Sequence, residues 1–305
     1  LLITRTGPIA QKKDHSAHTN LSTLDEIEAL DGEVLPAPIP PDLQGLHDLA
    51  IIPVSAEKYN LRDIILRHTK AMGGLANWND VQSLRLNGQI SQGEAIYPIV
   101  IIKKRPLQIR TTISIPKNTT SDKFVQVVFA SDGKDFWQST KQNGELLLKK
   151  AIDESSSRML SRDAPVLPIL MHAWQANEQL YIKGRVAHEE RNILVLGIDA
   201  PLSSFNQLFY LDIDSFELCG YKLTCSNFHS EVTLYNYQKI DGLKFPLQST
   251  IHDSRTGISH LLTESVTVGV GIYEEYFKGL QNFEMPSEMS KSPFLHHQEH
   301  LHLLD

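Results

Sequence analysis

From Ser83 onward the chain repeats one pattern, in which short stretches of alternating apolar and polar residues are each closed by a turn pair. Leu84, Leu86, Gly88 and Ile90 alternate with Arg85, Asn87, Gln89 and Ser91. That period of two puts one face of a strand into a core and leaves the other in water. Comparable stretches run over 95–104, 107–115, 123–130, 135–140 and 144–149, and then over 179–188, 191–198, 205–213, 216–225, 229–239, 244–253 and 258–270. Asp132-Gly133, Asn143-Gly144, Asp241-Gly242 and Thr256-Gly257 separate them with residues that accept turn dihedrals. A chain written this way makes one large antiparallel sheet, and a sheet with this many strands must curl or close.

Two segments break the alternation. Leu61, Ile64, Ile65, His68 and Met72 share one face of a helix over 56–72, with Ser55 as a candidate N-cap and Gly73-Gly74 as its stop. A turn carrying Trp78 follows. Residues 150–176 hold a helical insert, whose apolar side comes from Met159, Leu160, Leu167, Ile169, Leu170, Met171 and Trp174. The fold class expected is α+β: a strongly curved antiparallel sheet forming an incomplete, half-open β-barrel with helices on its concave side.

The ends of the chain differ from this body. Residues 1–55 carry eight acidic side chains against three basic ones, −5 of the total charge of −7, and close on Pro36-Ala37-Pro38-Ile39-Pro40-Pro41. They read as an acidic, proline-rich arm that wraps or links the body. The domain is expected over 56–285, with the insert at about 150–176, and a His-rich tail over 286–305. The remaining 250 residues carry only −2, so the body has no basic footprint for nucleic acid. With 41% hydrophobic and 21% charged residues the chain is globular. No apolar run reaches the ~18 residues of a transmembrane helix. The expected location is periplasmic or otherwise extracytoplasmic, with a secretory signal already removed ahead of Leu1. Cys219 and Cys225 lie six apart in one candidate strand, roughly 20 Å at ~3.3 Å per residue, too far for a disulfide, and read as buried free thiols.

Catalytic signatures are scarce. The chain has no nucleophile elbow, phosphate loop, dinucleotide fingerprint or C-x-x-C pair. His296-His297-Gln298-Glu299-His300 fits the inverted zinc-peptidase pattern H-x-x-E-H, but follows Pro286 and Pro293 at the chain end and reads as a solvated tail. A metal-dependent hydrolase stays as the remote alternative there. The pairs Asp212/Asp214 and Glu274/Glu275 fall at strand ends, and His172 stands alone in the insert beside Trp174. No enzyme, cofactor or resident metal is expected. The better-supported constellation is apolar: Leu84, Leu86, Ile90 and Ile109 on strands, Trp137 after the Asp132-Gly133 turn, and Leu170, Met171 and Trp174 in the insert. These eight are the candidate ligand-binding residues of a sheet covered by helices.

Several short motifs occur in a definite order: Met72-Gly73-Gly74-Leu75-x-x-Trp78 with Ser83-Leu84-Arg85-Leu86-x-Gly88; Lys104-Arg105-Pro106; Ser131-Asp132-Gly133-Lys134-x-x-Trp137; Phe209-Tyr210-Leu211-Asp212 with Leu218; and Tyr235-x-x-Gln238-Lys239-Ile240-Asp241-Gly242-Leu243-Lys244-Phe245-Pro246. Over about residues 57–272 this series resembles the bacterial outer-membrane lipoprotein-sorting protein-like family, with the LolA/LolB-like fold. The resemblance implies a carrier that holds acyl chains in a half-barrel under a helical lid. It also implies that Arg105 holds the lid closed through hydrogen bonds. The function expected is a non-enzymatic extracytoplasmic carrier or binding protein for a lipid or the acyl chain of a lipoprotein, with an envelope receptor or transporter as its further partner. The alternative is a cell-envelope interaction or structural module whose barrel is filled by its own side chains.

Overall fold

The computed structural model describes residues 37–55, 58–116, 124–186, 191–198, 206–225 and 228–279. The His-rich tail and residues 1–36 of the arm lie outside them. The thirteen alternating stretches become β2 to β14: β2 Ser83–Gln92, β3 Ala95–Lys104, β4 Gln108–Pro116, β5 Phe124–Ser131, β6 Phe136–Gln142, β7 Glu145–Ala151, β8 Leu180–Val186, β9 Ile193–Ile198, β10 Asn206–Asp212, β11 Leu218–Thr224, β12 His229–Ile240, β13 Leu243–Asp253 and β14 Gly257–Val268. A two-residue strand that the alternation does not announce, β1 Ile51–Ile52, pairs with β8. All are antiparallel neighbours in one 14-stranded sheet of order β1-β8-β9-β10-β11-β12-β13-β14-β2-β3-β4-β5-β6-β7. The pairing of β14 with β2 joins the two halves, and β1 and β7 stay at opposite ends, so the sheet is open.

The helices are short. α1 (Leu61–Ala71) begins at Asn60, whose side chain accepts a hydrogen bond from the Asp63 N–H at 3.2 Å. Ser55 is therefore not the cap, and the helix starts at Leu61, the first residue of the apolar spacing, five residues later than a Ser55 cap implies. Its buried face is Ile64, Ile65 and His68, three of the five residues picked out by that spacing. α2 (Leu75–Asp80) follows the Gly73-Gly74 stop. The Met72 carbonyl there accepts both the Trp78 Nε1–H (2.8 Å) and the Lys244 N–H (3.1 Å), pinning the helix end to the β12–β13 hairpin. Only glycine fits at 73: φ is 108°, and a Cβ would stand 2.5 Å from the Gly242 carbonyl oxygen. In the insert, α3 (Glu154–Asp163) is capped by Asp153, and α4 (Ile169–Gln175) starts after Pro168.

The sheet has two covered faces. On one, α1 and α4 pack on β9 to β11 through Ile64, Ile65, Leu170 and Ala173 against Leu194, Leu196, Phe209 and Leu211. On the other, the end of the arm (37–55) lays Leu43 and Leu46 against Val195, Tyr210, Cys219 and Tyr235. The arm is tied down by Arg191, which bridges Asp42 and Asp212, and by the Tyr235 hydroxyl donating to the Ala37 carbonyl at 3.1 Å. Cys219 is buried and Cys225 only half-buried, both as free thiols.

Curvature follows from one observation. A single cavity is walled by side chains of seven consecutive strands, from Tyr221 of β11 through Leu234, Ser249, Leu261 and Leu86 to Ile109 of β4. Laid flat, seven strands span roughly 29 Å, six spacings of ~4.8 Å. They can share one small cavity only by curling around it, and the helical insert lies on this inner, concave side.

Candidate functional site

The cavity measures about 260 Å³ and lies between the curled sheet and residues 162–169 of the insert. Register explains its wall. Leu84, Lys103 and Ile109 are directly opposed across β2, β3 and β4, as are Leu86, Ile101 and Thr111 one step along. Those two rows form one flank, β11 to β14 form the other, and Met72 and Trp78 close the end beside α2. The roof is the non-helical stretch Ala164–Pro168 between α3 and α4. Pro165 and Pro168 prevent a continuous helix there, and Val166 and Leu167 are buried against the cluster holding Trp78, Leu84 and Phe245.

Three of the eight apolar candidates wall this cavity: Leu84, Leu86 and Ile109. Ile90 stands further along β2, half-buried and paired with the wall residue Leu261, but does not itself line the cavity. Leu170 and Met171, 0% and 1% exposed, are sealed in core under α4. Trp174 lies on the outer side of the insert, 38% exposed. Trp137 is on the opposite face of the sheet. It pairs with Ala130, which pairs with Arg110, whereas the cavity takes the alternate residues Ile109 and Thr111. There its Nε1–H donates to the Phe277 carbonyl at 3.0 Å, and Arg110 and Lys149 lie over its ring. Pleat parity decides this: a residue after a hairpin turn reaches whichever face its register number assigns.

The cavity also holds charged groups that the apolar pattern hides. Lys103, Arg162 and Asp163 line it together, with Tyr221 and Tyr237. Lys103 is half-buried and Asp163 exposed, and both line the cavity. Burial lowers the Lys103 pKa, opposed by the Asp163 charge; burial raises that of Asp163, opposed by Lys103 and Arg162. Burial also brings the Arg162 guanidinium down to about 10, with Glu178, Tyr221 and Asp163 opposing. The Tyr237 hydroxyl donates to the Leu218 carbonyl at 2.8 Å, and burial pushes its pKa well up. A sequence signal for Lys103 exists: it follows Ile99 and Ile101 at the same parity, so it must point inward. Arg162 and Asp163 sit at a helix end with no periodic signal to place them.

No family model matches this chain, and no curated protein does. Solved structures do. A DUF1329 family protein from Desulfovibrio piger is 12% identical, with a TM-score of 0.48 over 72% of this chain and 97% of its own. A LolA superfamily protein from Nitrosomonas europaea is 13% identical, with a TM-score of 0.45 over 74% of this chain and 98% of its own.

Arg105 occupies the β3–β4 turn. Its Nε–H donates to the Val81 carbonyl at 2.8 Å and its Nη2 to the Trp78 carbonyl at 3.0 Å. These are carbonyls at and just past the C-terminal end of α2, which helix geometry leaves without intrahelical partners. Both described acceptors belong to α2 and its exit, and the insert supplies neither. The carboxylate pairs have structural tasks. Asp212 accepts the Asp214 and Ser215 N–H groups and pairs with Arg191, and Glu274/Glu275 form an exposed 3-10 turn. His172 lies in an outer cleft beside Arg162 and Glu178, its pKa lowered chiefly by burial. Among the described residues no cluster of three His, Cys, Asp or Glu side chains suits a metal ion, and no helix is long and apolar enough to cross a membrane.

Proposed function

We propose that this protein is an extracytoplasmic carrier or binding protein that holds the acyl chain of a lipid or lipoprotein between its curled sheet and the 150–176 insert. The observation that carries the reading is the cavity itself. A barrel filled by its own side chains, the alternative architecture, leaves no such space, whereas about 260 Å³ stands open here beneath the Pro165–Pro168 roof. Its wall is mostly aliphatic and aromatic, and each methylene moved there from water contributes ~0.8 kcal/mol. The roof is a loop between two short helices, so widening the cavity there is less costly than opening sheet hydrogen bonds. Arg105, by tying α2 to the β3–β4 turn, steadies the end wall formed by Trp78. Release to an envelope receptor or transporter completes the role of a carrier.

The test is mass spectrometry of lipids that copurify with the protein, compared with a Leu86→Trp variant. Leu86 is a half-buried wall residue, and an indole there occupies the cavity. Acyl lipids retained by wild type and lost from the variant support the proposal. A wild type free of lipid that also fails to bind an added fatty acid refutes it.

A further inference from the structure

Among the charged side chains that line the cavity, cations outnumber carboxylates. Lys103, Arg162 and Lys244 face one carboxylate, Asp163. Lys244 is neutralised by an ion pair with Glu217. Glu178 offsets Arg162 from the neighbouring outer cleft, where it is a wall residue and from which it does not reach the cavity lining. Asp163 is shared between Lys103 and Arg162. Lys103 is the least satisfied of the set. Among the described residues its single hydrogen bond is a long one, 3.4 Å from Nζ to the Pro165 carbonyl, and no carboxylate comes within ion-pairing distance. An ammonium offers three donors. This one is flanked in register by Leu84 on β2 and Ile109 on β4, both almost fully buried. Keeping a half-buried cation among aliphatic side chains with one long hydrogen bond is costly. A methionine of similar length would pack there without that cost. The position makes sense if the missing acceptor arrives with the ligand.

We infer that the cavity takes an anionic amphiphile head-first, its carboxylate or phosphate oxygens accepting from Lys103 Nζ beneath the Pro165 roof while its chain lies along Leu84, Leu86, Ile101 and Ile109. The inference rests on the carrier reading above and narrows it from acyl chains in general to chains with an anionic head. Arg162 reinforces the positive field from across the cavity, and Asp163 opposes it. Asp163 is thus the group that an anionic head must outcompete.

The test is calorimetric titration of the full chain with decanoate, decyl phosphate and decan-1-ol, at about pH 8, where both acids are ionised. The alcohol has the same chain and no charge. Wild type should bind the better of the two acids at least about tenfold more tightly than the alcohol, the usual worth of a charge-assisted hydrogen bond out of water. Whichever acid binds tighter identifies the head as carboxylate or phosphate ester. Lys103→Met should remove that preference while leaving alcohol affinity within about twofold, and Lys103→Arg should restore most of it. Asp163→Asn, which deletes the competing carboxylate, should strengthen acid binding and leave the alcohol unchanged. Equal binding of acids and alcohol by wild type, or a preference that survives Lys103→Met, overturns the inference and leaves the carrier reading standing. Failure of all three ligands to bind wild type removes both.

Discussion

Replacing Arg105 by leucine removes two hydrogen bonds whose geometry is explicit: Nε to Val81 O at 2.8 Å and Nη2 to Trp78 O at 3.0 Å. Charge-assisted bonds of this kind are worth about 1.5–3 kcal/mol each when water is excluded. Arg105 is half-buried, so water takes over part of the loss at both carbonyls. The Trp78 carbonyl also keeps a 3.3 Å bond from the Val81 N–H. The expected destabilisation is therefore about 2–3 kcal/mol, below the sum of two fully buried bonds. At roughly 2–4 °C per kcal/mol for a domain near 200 residues, the melting temperature should fall by about 4–12 °C. Urea denaturation of wild type, Arg105→Leu and Arg105→Lys measures it. Lysine keeps the charge but loses the fork that spans two acceptors, so it should recover about half of the loss. A change under ~0.5 kcal/mol in Arg105→Leu would show that the turn and α2 hold together without the guanidinium. Full recovery by lysine would show that charge alone matters, and either result refutes the clamp. The same variants report on ligand binding, because Trp78 walls the end of the cavity and its carbonyl is held by Arg105. Arg105→Leu should change affinity for decanoate, and calorimetry reads it.

Other consequences are open to measurement. Leu86→Trp should abolish fatty-acid binding while changing stability by less than ~2 kcal/mol, because the indole fills existing space; calorimetry with decanoate and a urea melt read the two separately. Gly73→Ala should cost at least ~2 kcal/mol, since φ is 108° and the new Cβ meets the Gly242 carbonyl at 2.5 Å, and a fall in urea midpoint of less than ~0.5 kcal/mol equivalent would contradict that contact. His68 is fully buried with Nδ1 2.8 Å from the Phe216 carbonyl, and burial lowers its pKa from 6.5 to about 4. The unfolded chain then holds more protons than the folded one between those values. Stability is complete above pH 6.5 and falls as the pH drops toward 4, by about 3 kcal/mol for this one residue, and the slope of unfolding free energy against pH should shrink in His68→Gln.

Alternation and turn chemistry are local, so the chain's own order of residues was enough to announce β2 to β14, the antiparallel sheet, the N-terminal helix and the break at 150–176. Pattern alone also carried Leu84, Leu86 and Ile109 to the concave wall, because period two names the buried face of each strand. It failed where two distant parts had to meet. Trp137 looked like a cavity residue until pairing through Ala130 to Arg110 set its parity on the far face. Leu170 and Met171 were sealed against α1 and the sheet, contacts that no helical period specifies. The two-residue β1 and the buried Leu43 and Leu46 took their structure from the sheet they cover, since so short a segment cannot bury apolar surface alone. The joining of β14 to β2, which turns two meanders into one curled sheet, is a pairing between segments some 170 residues apart. Only that closure gathers Lys103 from β3, Asp163 from α3 and Tyr221 from β11 around one cavity. Residue order decides which side chains face inward; the curvature of the whole sheet decides which of them meet, because contact across a cavity depends on long-range pairing that no local pattern encodes.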